Sequence, residues 1–358
     1  MSVYNNARYI SASIESILSQ TLGDFEFLIV DDGSTDGSND IIQKFARLDR
    51  RIRVIRQPNR GLVPSLNLLI EIARAPLLAR MDGDDISLPR RFERQIEFLD
   101  ANPGYGVVGT NVYDIDEDGR LAQDHDQYPS DHEGFVQEME RWSPLCHSTV
   151  MMRREIVRAH GGYRQAYRHC EDYDLWLRLS LRTRLCSIPE QLLYYRRSPE
   201  QVSTRYALQQ QTGAAIARLA HLERVQGRTD PTDDLAYLPS IAAVDETFGR
   251  PGISRELRSS VAPKLVYSST AMRGEGFHLL MDHLRDGGDL AGQWRTFARL
   301  LKFRRPARAA QLGALLLART FSRKRAALTP VGTASRIPAR SARTCRGDAI
   351  RDRPHPQP

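Results

Sequence analysis

The chain has 358 residues, of which 41% are hydrophobic and 27% are charged, and its formal net charge at pH 7 is +7. This length is sufficient for about two domains with a proper core, and the composition is ordinary for a soluble globular protein. There is no run of ~18 apolar residues, so no membrane-spanning helix is predicted, and the N-terminus lacks a basic-then-apolar signal peptide.

Helix and strand patterns alternate over the first 200 residues. Short apolar runs predict strands at 25–30, 52–55, 77–81, near 107–108, 149–152 and 191–196. Apolar spacing at helical intervals predicts helices at 8–20, 38–48, 64–73, 89–99 and 171–181. This alternation predicts a doubly wound, mostly parallel α/β sheet flanked by helices.

The pattern divides the chain into three parts. Residues 1–203 are predicted to form the α/β domain, residues 204–327 a helical C-terminal region, and residues 328–358 a disordered basic tail rich in Pro, Ala, Arg and Ser.

The first strand of the sheet is expected to be absent. Residues 1–6 look like the loop that follows such a strand, so either the strand is missing or the start codon was assigned too late. The strand would lie at the centre of the sheet beside strand 25–30. Without it, about six backbone groups lose their partners, each at a cost of ~1–3 kcal/mol if buried.

Acidic clusters follow two of the predicted strands. Residues 31–37 read DDGSTDG after one strand, and residues 82–85 read DGDD after another. Ligands of doubly wound sheets bind beyond the carboxyl ends of the strands, so both clusters are expected to face one cleft. Crowded carboxylates repel one another unless a cation or a hydrogen-bonded ligand balances them. We therefore expect a cationic or hydroxyl-rich ligand there.

Asp82 and Asp84 form a DxD arrangement. Alternate residues leaving a strand can direct two carboxylates to one point, and Gly83 lets a ligand approach the backbone. Mg²⁺ or Mn²⁺ takes one or two carboxylates and completes its shell with phosphate oxygens and water. Taken alone, the motif is more typical of a solvated turn than of a metal site. In such a turn Asp85 would cap the next helix.

Tyr4, Asp32 and Asp36 each have two interpretations. Asp32 is placed to accept hydrogen bonds from a base or ribose, or to form an Asx turn with Gly33. Tyr4 either stacks on a flat base or packs within its loop. Asp36 is predicted to cap helix 38–48.

Glu171 and Asp172 open helix 171–181. A carboxylate in a first turn is stabilised by the helix dipole by a few tenths to ~1 kcal/mol, so capping alone explains one of the two. The functional interpretation is general base catalysis, in which a carboxylate takes a proton from an attacking hydroxyl.

Together these motifs resemble the family 2 glycosyltransferases, inverting enzymes of the GT-A fold. The likeness covers about residues 3–200 and is carried by VYNN, FEFLIVDDGSTDGS, an NRG turn, ARMDGDD with Pro89 and Arg91 after it, HSTVM and EDYDLWLR. It implies metal-dependent transfer of a sugar from a nucleotide-diphosphate sugar, with UDP favoured, to an acceptor hydroxyl in cell-envelope or exopolysaccharide synthesis. The acceptor would be a saccharide or a lipid-linked saccharide.

The resemblance also implies roles for individual residues. Asp84 would be the main ligand of Mn²⁺ or Mg²⁺, with Asp82 facing the metal or the ribose. Asp172 would be the catalytic base, with Glu171 beside it on the acceptor side. The residues implied to bind the nucleotide sugar are Tyr4, Asp32, Asp82, Arg60, Arg80 and His147. Nothing resembles the QxxRW motif of processive synthases, which favours transfer of one sugar per encounter.

The positive charge is concentrated at the C-terminal end. Residues 290–358 hold sixteen Lys and Arg against two Asp, about +14, which leaves about −7 for residues 1–289. Basic residues flank an apolar stretch at 312–317, so residues 295–325 either rest on an anionic membrane surface or pack on the body of the protein. Few aromatic residues are interleaved with the arginines, which argues against nucleic acid.

The cysteines are scattered. The sequence contains no CxxC pair among Cys146, Cys170, Cys186 and Cys345, which argues against a zinc site or a disulfide framework. Unpaired cysteines favour the reducing cytoplasm. If the basic segment 295–325 rests on a membrane, the expected location is the inner face of the cytoplasmic membrane.

Two other functions fit parts of the pattern. A sugar nucleotidyltransferase would need a glycine-rich basic loop after the first strand, and residues 5–8 (NNAR) do not supply one. A non-catalytic, membrane-docked scaffold of the same fold would not need the intact DxD and Glu-Asp pairs.

Overall fold

Three parallel strands form the N-terminal part of the structure, a computed structural model that describes residues 1–124, 127–198 and 205–328. The strands β1 (Ser2–Val3), β2 (Phe27–Asp31) and β3 (Ile52–Arg56) lie in that order in one sheet. The helices between and after them are α1 (Ile10–Leu18), α2 (Ser38–Leu48) and α3 (Leu62–Ile72).

Strand β2 is buried along its whole length. Its side chains alternate between two apolar clusters, with Phe27 and Ile29 in the one that contains α1 residues and Leu28 and Val30 in the one that contains α3 residues. Burial on both faces explains why β2 reads as a continuous apolar run. The strand carries Asp31, its last residue, and Asp32 to the edge of the sheet.

The first strand is short but present, which corrects the expectation that residues 1–6 form only a loop. Ser2 and Val3 pair in parallel with Val30 and Asp31 of β2. The Met1 carbonyl accepts a hydrogen bond from the Val30 amide at 2.9 Å, and the Val3 carbonyl accepts one from the Asp32 amide at 2.8 Å. Two residues lack the length for an apolar run, so the pattern gave no strand signal.

A second, larger sheet follows. Its strands are β4 (Leu77–Ala79), β5 (Ile86–Ser87), β6 (Tyr105–Ile115), β7 (Leu121–Asp124), β8 (Met151–Arg153) and β9 (Arg184–Arg196). They lie in the order β4-β8-β6-β9-β5, with β7 paired to β6. Of the pairings in this sheet, β6–β9 is parallel and the rest are antiparallel. The sheet is therefore more mixed than predicted, partly because the short turn between β6 and β7 permits only antiparallel pairing.

The predicted element boundaries agree with the structure where the apolar period is clean. Helix 38–48 is found unchanged as α2, whereas the predicted strand 149–152 is a 3₁₀ turn (His147–Thr149) followed by β8. Strand β9 is longer than predicted because its register against β6 shifts between Thr110 and Asn111, opposite Pro189. A bulge with a proline interrupts the alternation on which strand prediction depends.

Helices α4 (Arg91–Ala101), α5 (His132–Met139), α6 (Arg154–Ala159) and α7 (Glu171–Leu179) complete the α/β part. Helix α7 is almost entirely buried. Near its N-terminus, the Asp174 carboxylate is buried and is held by ion pairs with Arg164 and Arg178.

The C-terminal region is helical, as its pattern indicates. The helices are α8 (Ala207–Val225), α9 (Val244–Thr247), α10 (Ile253–Leu265), α11 (Ser269–Arg273), α12 (Glu275–Arg285), α13 (Gln293–Lys302) and α14 (Pro306–Leu328). Helix α8 packs on α7, and both contribute to one apolar cluster that includes Trp176 and Ile216. The last helices form a separate cluster around Phe277 and Leu312.

The described residues include no helix long and apolar enough to cross a membrane. Cys146, Cys170 and Cys186 are buried free thiols. Cys345 and the predicted disordered tail at 328–358 lie outside the described residues, apart from Leu328 at the end of α14.

Candidate active site

Three carboxylates gather between β4 and β5. Asp82, Asp84 and Asp85 each offer an oxygen that lies within 4.8 Å of the others. Asp82 and Asp84 are half-buried, and Asp85 is 1% exposed. The DxD residues are therefore brought together with a third carboxylate, which bonds to the Arg196 amide rather than capping the next helix.

This cluster is electrostatically unbalanced. Burial, and then the charge of Asp82, raises the pKa of Asp84 to about 6. Burial, followed by Asp84 and Asp82, raises the pKa of Asp85 well above its usual range. The Asp85 Oδ2 atom is buried and has no hydrogen-bond partner among the described residues. Oxygen ligands that repel one another and include an unpartnered buried atom fit a hard divalent cation.

Arg80 and Ser148 hold Asp82 in place. The Arg80 guanidinium pairs with Asp82 Oδ2. The Ser148 hydroxyl donates to the same oxygen at 2.9 Å and accepts from Arg80 Nη1 at 3.0 Å. One Asp82 oxygen is thus fixed by protein donors.

Two further arginines connect this loop to the sheet. Arg91 is fully buried and donates through Nη1 to the carbonyls of Arg80 and Ser148, at 3.1 and 2.9 Å. Burial lowers the pKa of Arg91 to about 9. Arg196 donates its backbone amide to Asp85 Oδ1 and its Nε to the Asp84 carbonyl, both at 2.8 Å.

Sequence reasoning missed Ser148 and Arg196 as functional residues. Ser148 lies within the HSTVM motif, so a signal was available. Arg196 closes a strand 111 residues after Asp85, and no local pattern connects the two.

Glu171 and Asp172 begin helix α7, near Arg80. Burial, and then the neighbouring Asp172 charge, raises the pKa of Glu171 to about 7. Burial also raises the pKa of Asp172, and the Tyr173 amide and then Arg80 oppose that rise. Asp172 Oδ1 accepts from the Tyr173 amide at 2.7 Å. Arg80 and Asp82 both act electrostatically on Asp172, so the Asp82 loop and the start of α7 lie close to one another.

His147 lies near Arg80, whose charge acts on it. Its Nε2 atom is 2.8 Å from the Tyr163 hydroxyl. Its ring is edge-on to that of Trp176, with the two ring centroids 6.1 Å apart. Burial, followed by the Arg80 charge, lowers the pKa of His147 well below its usual range, so the imidazole is neutral. A neutral imidazole that hydrogen-bonds to the Tyr163 hydroxyl helps to hold that side chain in place. It does not supply a positive charge that would neutralise a phosphate.

Asp32 is used to shape a neighbouring loop. It is 2% exposed; its Oδ1 accepts from Gln57 Nε2 and the Arg60 amide, at 2.7 and 2.9 Å, and its Oδ2 accepts from the Gly61 amide at 2.8 Å. Gly33 lies in the left-handed region (φ 82°), and a Cβ there would come within 2.8 Å of the Asn59 nitrogen. The Arg60 side chain and the Tyr4 ring are exposed.

The loop after β1 and the DxD loop, both predicted to bind the nucleotide sugar, meet at Gly83. A Cβ at Gly83 would lie 2.7 Å from Asn6 Nδ2, so the loop after β1 packs against the DxD loop. That first loop is anchored by Ser38 Oγ, which accepts from the Asn6 amide at 2.8 Å, and by Asp36, which accepts from the Ala7 amide at 2.9 Å. Asp36 also accepts from the Ser38 amide, but the N-cap residue of α2 is Gly37, so the prediction that Asp36 caps this helix is wrong by one residue.

Comparison with known proteins identifies the family of the chain. The model of the family described as glycosyl transferase family 2 matches residues 1–161. EpsE of Bacillus subtilis (strain 168) is 42% identical over 183 residues, which cover 50% of this chain and 64% of EpsE. The amylovoran biosynthesis glycosyltransferase AmsE of Erwinia amylovora is 32% identical over 209 residues, covering 57% of this chain and 77% of AmsE.

A third relative, the O-antigen biosynthesis glycosyltransferase WbnJ of Escherichia coli, is 31% identical over 180 residues, covering 50% of this chain and 69% of WbnJ. The chain therefore belongs to glycosyl transferase family 2, a family of glycosyltransferases.

Solved structures show the same fold. The structure of S. aureus TarS 1–349 in complex with UDP-GlcNAc superposes with a TM-score of 0.51 at 14% identity, covering 81% of this chain and 91% of that chain. TarS 1–349 alone gives a TM-score of 0.50 at 17% identity, covering 79% and 86%. The predicted GT-A fold is confirmed.

Proposed function

We propose that the protein transfers a single sugar from a UDP-sugar to an acceptor hydroxyl, with inversion at the anomeric carbon and with a divalent cation. The observation that carries this proposal is the position of Arg80, which pairs with Asp82 and acts electrostatically on Asp172. A carboxylate cluster that could hold a cation, with a separate carboxylate pair close to it, suits a reaction in which the leaving group and the acceptor lie on opposite sides of a sugar.

Asp82, Asp84 and Asp85 are the residues that would hold Mn²⁺ or Mg²⁺. When bound, the cation neutralises negative charge that develops on the departing diphosphate. Arg80 fixes the Asp82 carboxylate in one orientation, and Ser148 fixes the same oxygen, so the site is pre-organised before a donor arrives.

Asp172 is the proposed base. Its Oδ1 is engaged by the Tyr173 amide, which leaves Oδ2 to take the proton from the acceptor hydroxyl. Glu171 lies beside it on the acceptor side, and its raised pKa lets it carry a proton near neutral pH. Attack from the face opposite the diphosphate inverts the anomeric centre without a protein nucleophile.

The proposed setting is cell-envelope or exopolysaccharide synthesis, with a saccharide or lipid-linked saccharide as acceptor. The names of WbnJ and AmsE, which concern O-antigen and amylovoran biosynthesis, support this setting. The UDP-GlcNAc bound by TarS supports UDP-sugars as the first donors to test. For Tyr4, Asp32 and Arg60 we propose a nucleoside-binding loop that Asp32 shapes through the Arg60 and Gly61 amides.

The test is a screen of nucleotide sugars with Mn²⁺ or Mg²⁺ in which the released product is identified. We expect a nucleoside diphosphate and, with a glycoside acceptor, a product of inverted anomeric configuration by NMR. Release of pyrophosphate from a nucleoside triphosphate would instead identify a nucleotidyltransferase. No turnover, combined with no metal-dependent UDP binding, would favour the non-catalytic scaffold.

We also propose that helix α13 docks on an anionic lipid surface. Its outer face exposes Trp294 and Leu301, seven residues apart, which are 51% and 48% exposed. Arg295 and Lys302 lie next to them on the exposed side, and residues 290–320 contain no acidic residue. Each cation near an anionic lipid surface contributes about 1 kcal/mol.

The apolar stretch 312–317 does not form this face. Leu312 and Leu316 are buried in the cluster around Phe277, although Leu317 is half exposed. Arg308 donates to the carbonyl of Gly274, and Arg319 donates to that of Leu284. These residues attach helix α14 to the body, so the packing interpretation fits α14 and the membrane interpretation fits α13.

Vesicle sedimentation tests this docking. The full chain should sediment with vesicles that contain phosphatidylglycerol and not with pure phosphatidylcholine vesicles. Trp294→Ala with Leu301→Ala should reduce sedimentation at least several-fold, whereas Leu48→Ala, at another exposed leucine, should not. Equal sedimentation of all three proteins would contradict the assignment.

A further inference from the structure

A pair of stacked aromatic rings lies beside the start of helix α7. The imidazole of His169 and the phenol ring of Tyr206 have centroids 4.0 Å apart and ring planes inclined by 12°. His169 comes directly before Cys170, the N-cap residue of α7, and Tyr206 is the N-cap residue of α8. The stack therefore joins the N-terminal ends of two helices, two residues before Glu171 in the chain.

The backbone of His169 is held in an unusual conformation. Its φ of 75° lies in the left-handed region, which a residue other than glycine adopts only where its surroundings determine it. Gln210 Nε2 donates to the His169 carbonyl at 3.2 Å. Burial raises the pKa of Glu171, and a hydrogen bond from the His169 amide is among the interactions that oppose this rise. The backbone of His169 therefore contacts both α8 and a carboxylate of the candidate site.

The neighbours of His169 are fixed in the protein interior. Tyr167 is buried, with its hydroxyl 2.7 Å from Thr232 Oγ1. Cys170 is buried against Gly213, where an added Cβ would overlap the Cys170 sulfur. His169 itself is half-buried, and Tyr206 is 37% exposed. The stack is thus a rigidly supported aromatic surface that remains accessible to a ligand.

We infer that His169 and Tyr206 form a platform for the acceptor, on which a pyranose ring rests while its hydroxyl faces Asp172. This inference rests on the proposed function, since it assigns the acceptor side of the same site. One face of a pyranose ring can present mainly C–H groups, whose hydrogens carry a small positive charge. The negative face of an aromatic ring attracts such hydrogens, and the apolar contact adds to the attraction.

The charge state of the platform suits a neutral sugar ring. Burial, and then the charge of Arg168, lowers the pKa of His169 to about 4, so the imidazole is neutral near pH 7. A neutral imidazole keeps an electron-rich face for C–H groups and offers no positive charge to a phosphate. The platform is therefore assigned to the saccharide of the acceptor and not to a phosphate group.

A nucleobase is the other flat ligand that could stack on these rings. The nucleoside is proposed to bind the loops that carry Tyr4, Asp32 and Arg60, which follow strands β1, β2 and β3. The aromatic pair instead lies beside the carboxylate proposed as the base, where the acceptor hydroxyl must be. The two ligands predict different effects of removing the Tyr206 ring, because a nucleobase platform would change UDP affinity.

Saturation-transfer NMR on the full chain, with saturating UDP and Mn²⁺, tests the platform. The probes are methyl glycosides of glucose, galactose, mannose and N-acetylglucosamine, with sorbitol as an open-chain polyol that has no rigid C–H face. We expect at least one glycoside to bind, with saturation strongest at the protons of one ring face, and sorbitol not to bind. Tyr206→Ala should weaken that binding at least about fivefold, the scale of one lost aromatic stacking contact, and Tyr206→Phe should retain it.

Two further variants separate recognition from folding. His169→Gly removes the ring but suits the left-handed backbone, so Tm should stay close to that of the parent while glycoside affinity falls. Tyr267→Ala is the matched control, because Tyr267 is a 70% exposed tyrosine between α10 and α11 and should leave glycoside affinity unchanged.

Three outcomes would overturn the inference: no glycoside binds, Tyr206→Ala binds the glycoside as well as the parent, or Tyr206→Ala weakens UDP binding as much as glycoside binding. The last outcome would assign the rings to the nucleobase. Glycoside binding that depends on Tyr206, in a protein that transfers no sugar, would contradict the proposed function and leave the saccharide platform standing. Transfer to an acceptor whose affinity does not depend on Tyr206 would contradict the platform alone.

Discussion

Ser148 donates a hydrogen bond to Asp82 Oδ2 at 2.9 Å, across 66 residues of sequence, while its oxygen accepts from Arg80 at 3.0 Å. The serine therefore sets the angle at which the Asp82 carboxylate faces Asp84.

From this geometry we expect Ser148→Ala to weaken Mn²⁺-dependent UDP binding by about tenfold, within the range usual for a residue that orients a metal ligand. The variant should keep a near-normal Tm. Ser180→Ala is the matched control, because the Ser180 hydroxyl is also buried but, within the part of the chain that the structure describes, bonds only to the Leu177 carbonyl. Isothermal titration of UDP in the presence of Mn²⁺ into both variants measures the effect. Equal UDP affinity of the two variants would show that Ser148 does not orient a metal ligand.

Asp84→Ala should abolish the metal dependence of nucleotide binding. Asp84 is one of three carboxylates whose oxygens lie within 4.8 Å of one another, and removing it leaves too few oxygen ligands for a hard cation. We expect titrations with Mn²⁺ and with EDTA to give the same UDP affinity for this variant and different affinities for the parent and for Asp118→Ala, a variant at an exposed carboxylate. A persistent EDTA effect in Asp84→Ala would contradict the metal assignment.

Asp172→Asn should lower the transfer rate by ~10²–10⁴-fold and leave UDP affinity close to unchanged, because the amide keeps the shape of the side chain and loses the base. Initial rates under saturating donor, together with titration of UDP, measure the two effects separately. Retention of more than about a tenth of the parent rate, well above what loss of a positioned base allows, would show that another group takes the proton.

Glu171→Gln should stabilise the fold at pH 8 and have little effect at pH 5. The folded-state pKa of Glu171 is about 7, above the ordinary value of 4.5, so the folded chain binds the proton more tightly than the unfolded chain. Stability is therefore lost as pH rises from about 4.5 to 7, by roughly 3 kcal/mol at most, and glutamine removes that loss. Thermal unfolding at both pH values measures it, with Glu15→Gln as an exposed control; a Tm difference that does not grow with pH would contradict the burial argument.

Gly83→Ala should weaken UDP binding, because the new methyl group would displace Asn6 and the loop after β1. A loss on the order of tenfold is expected from a small displacement of binding groups. Adding Asn6→Ala makes room for the methyl group, so the double variant should recover affinity toward that of Asn6→Ala alone. A double variant as weak as Gly83→Ala would place the effect elsewhere.

Much of the candidate site was predictable because local signals coincide there. The DGDD segment follows an apolar strand, and Glu171-Asp172 begins a helix with clean apolar spacing, so the structure places both groups near Arg80. The α/β class followed from the same alternation.

Other features depend on contacts that no local pattern encodes. Asp85 was expected to cap a helix, yet its partner is the Arg196 amide at the end of β9. The role of Asp32 at a nucleoside stays a prediction; the structure shows that its carboxylate accepts hydrogen bonds from Gln57 and two loop amides. The partners of both carboxylates are tertiary neighbours that no local pattern identifies. The two-residue strand β1 was missed because hydrogen bonds with β2 define it.

Helix α7 connects the proposed base to the C-terminal region. Arg164 bridges Asp174 of α7 to Asp230, which follows α8, and the Leu177 carbonyl is 3.0 Å from His221 Nδ1 of α8. A chain shortened to residues 1–203 would therefore lose the contacts that hold the helix of the proposed base in place. The Tyr167 hydroxyl is hydrogen-bonded to Thr232, so attempts to shorten or exchange the C-terminal helices should begin after residue 232.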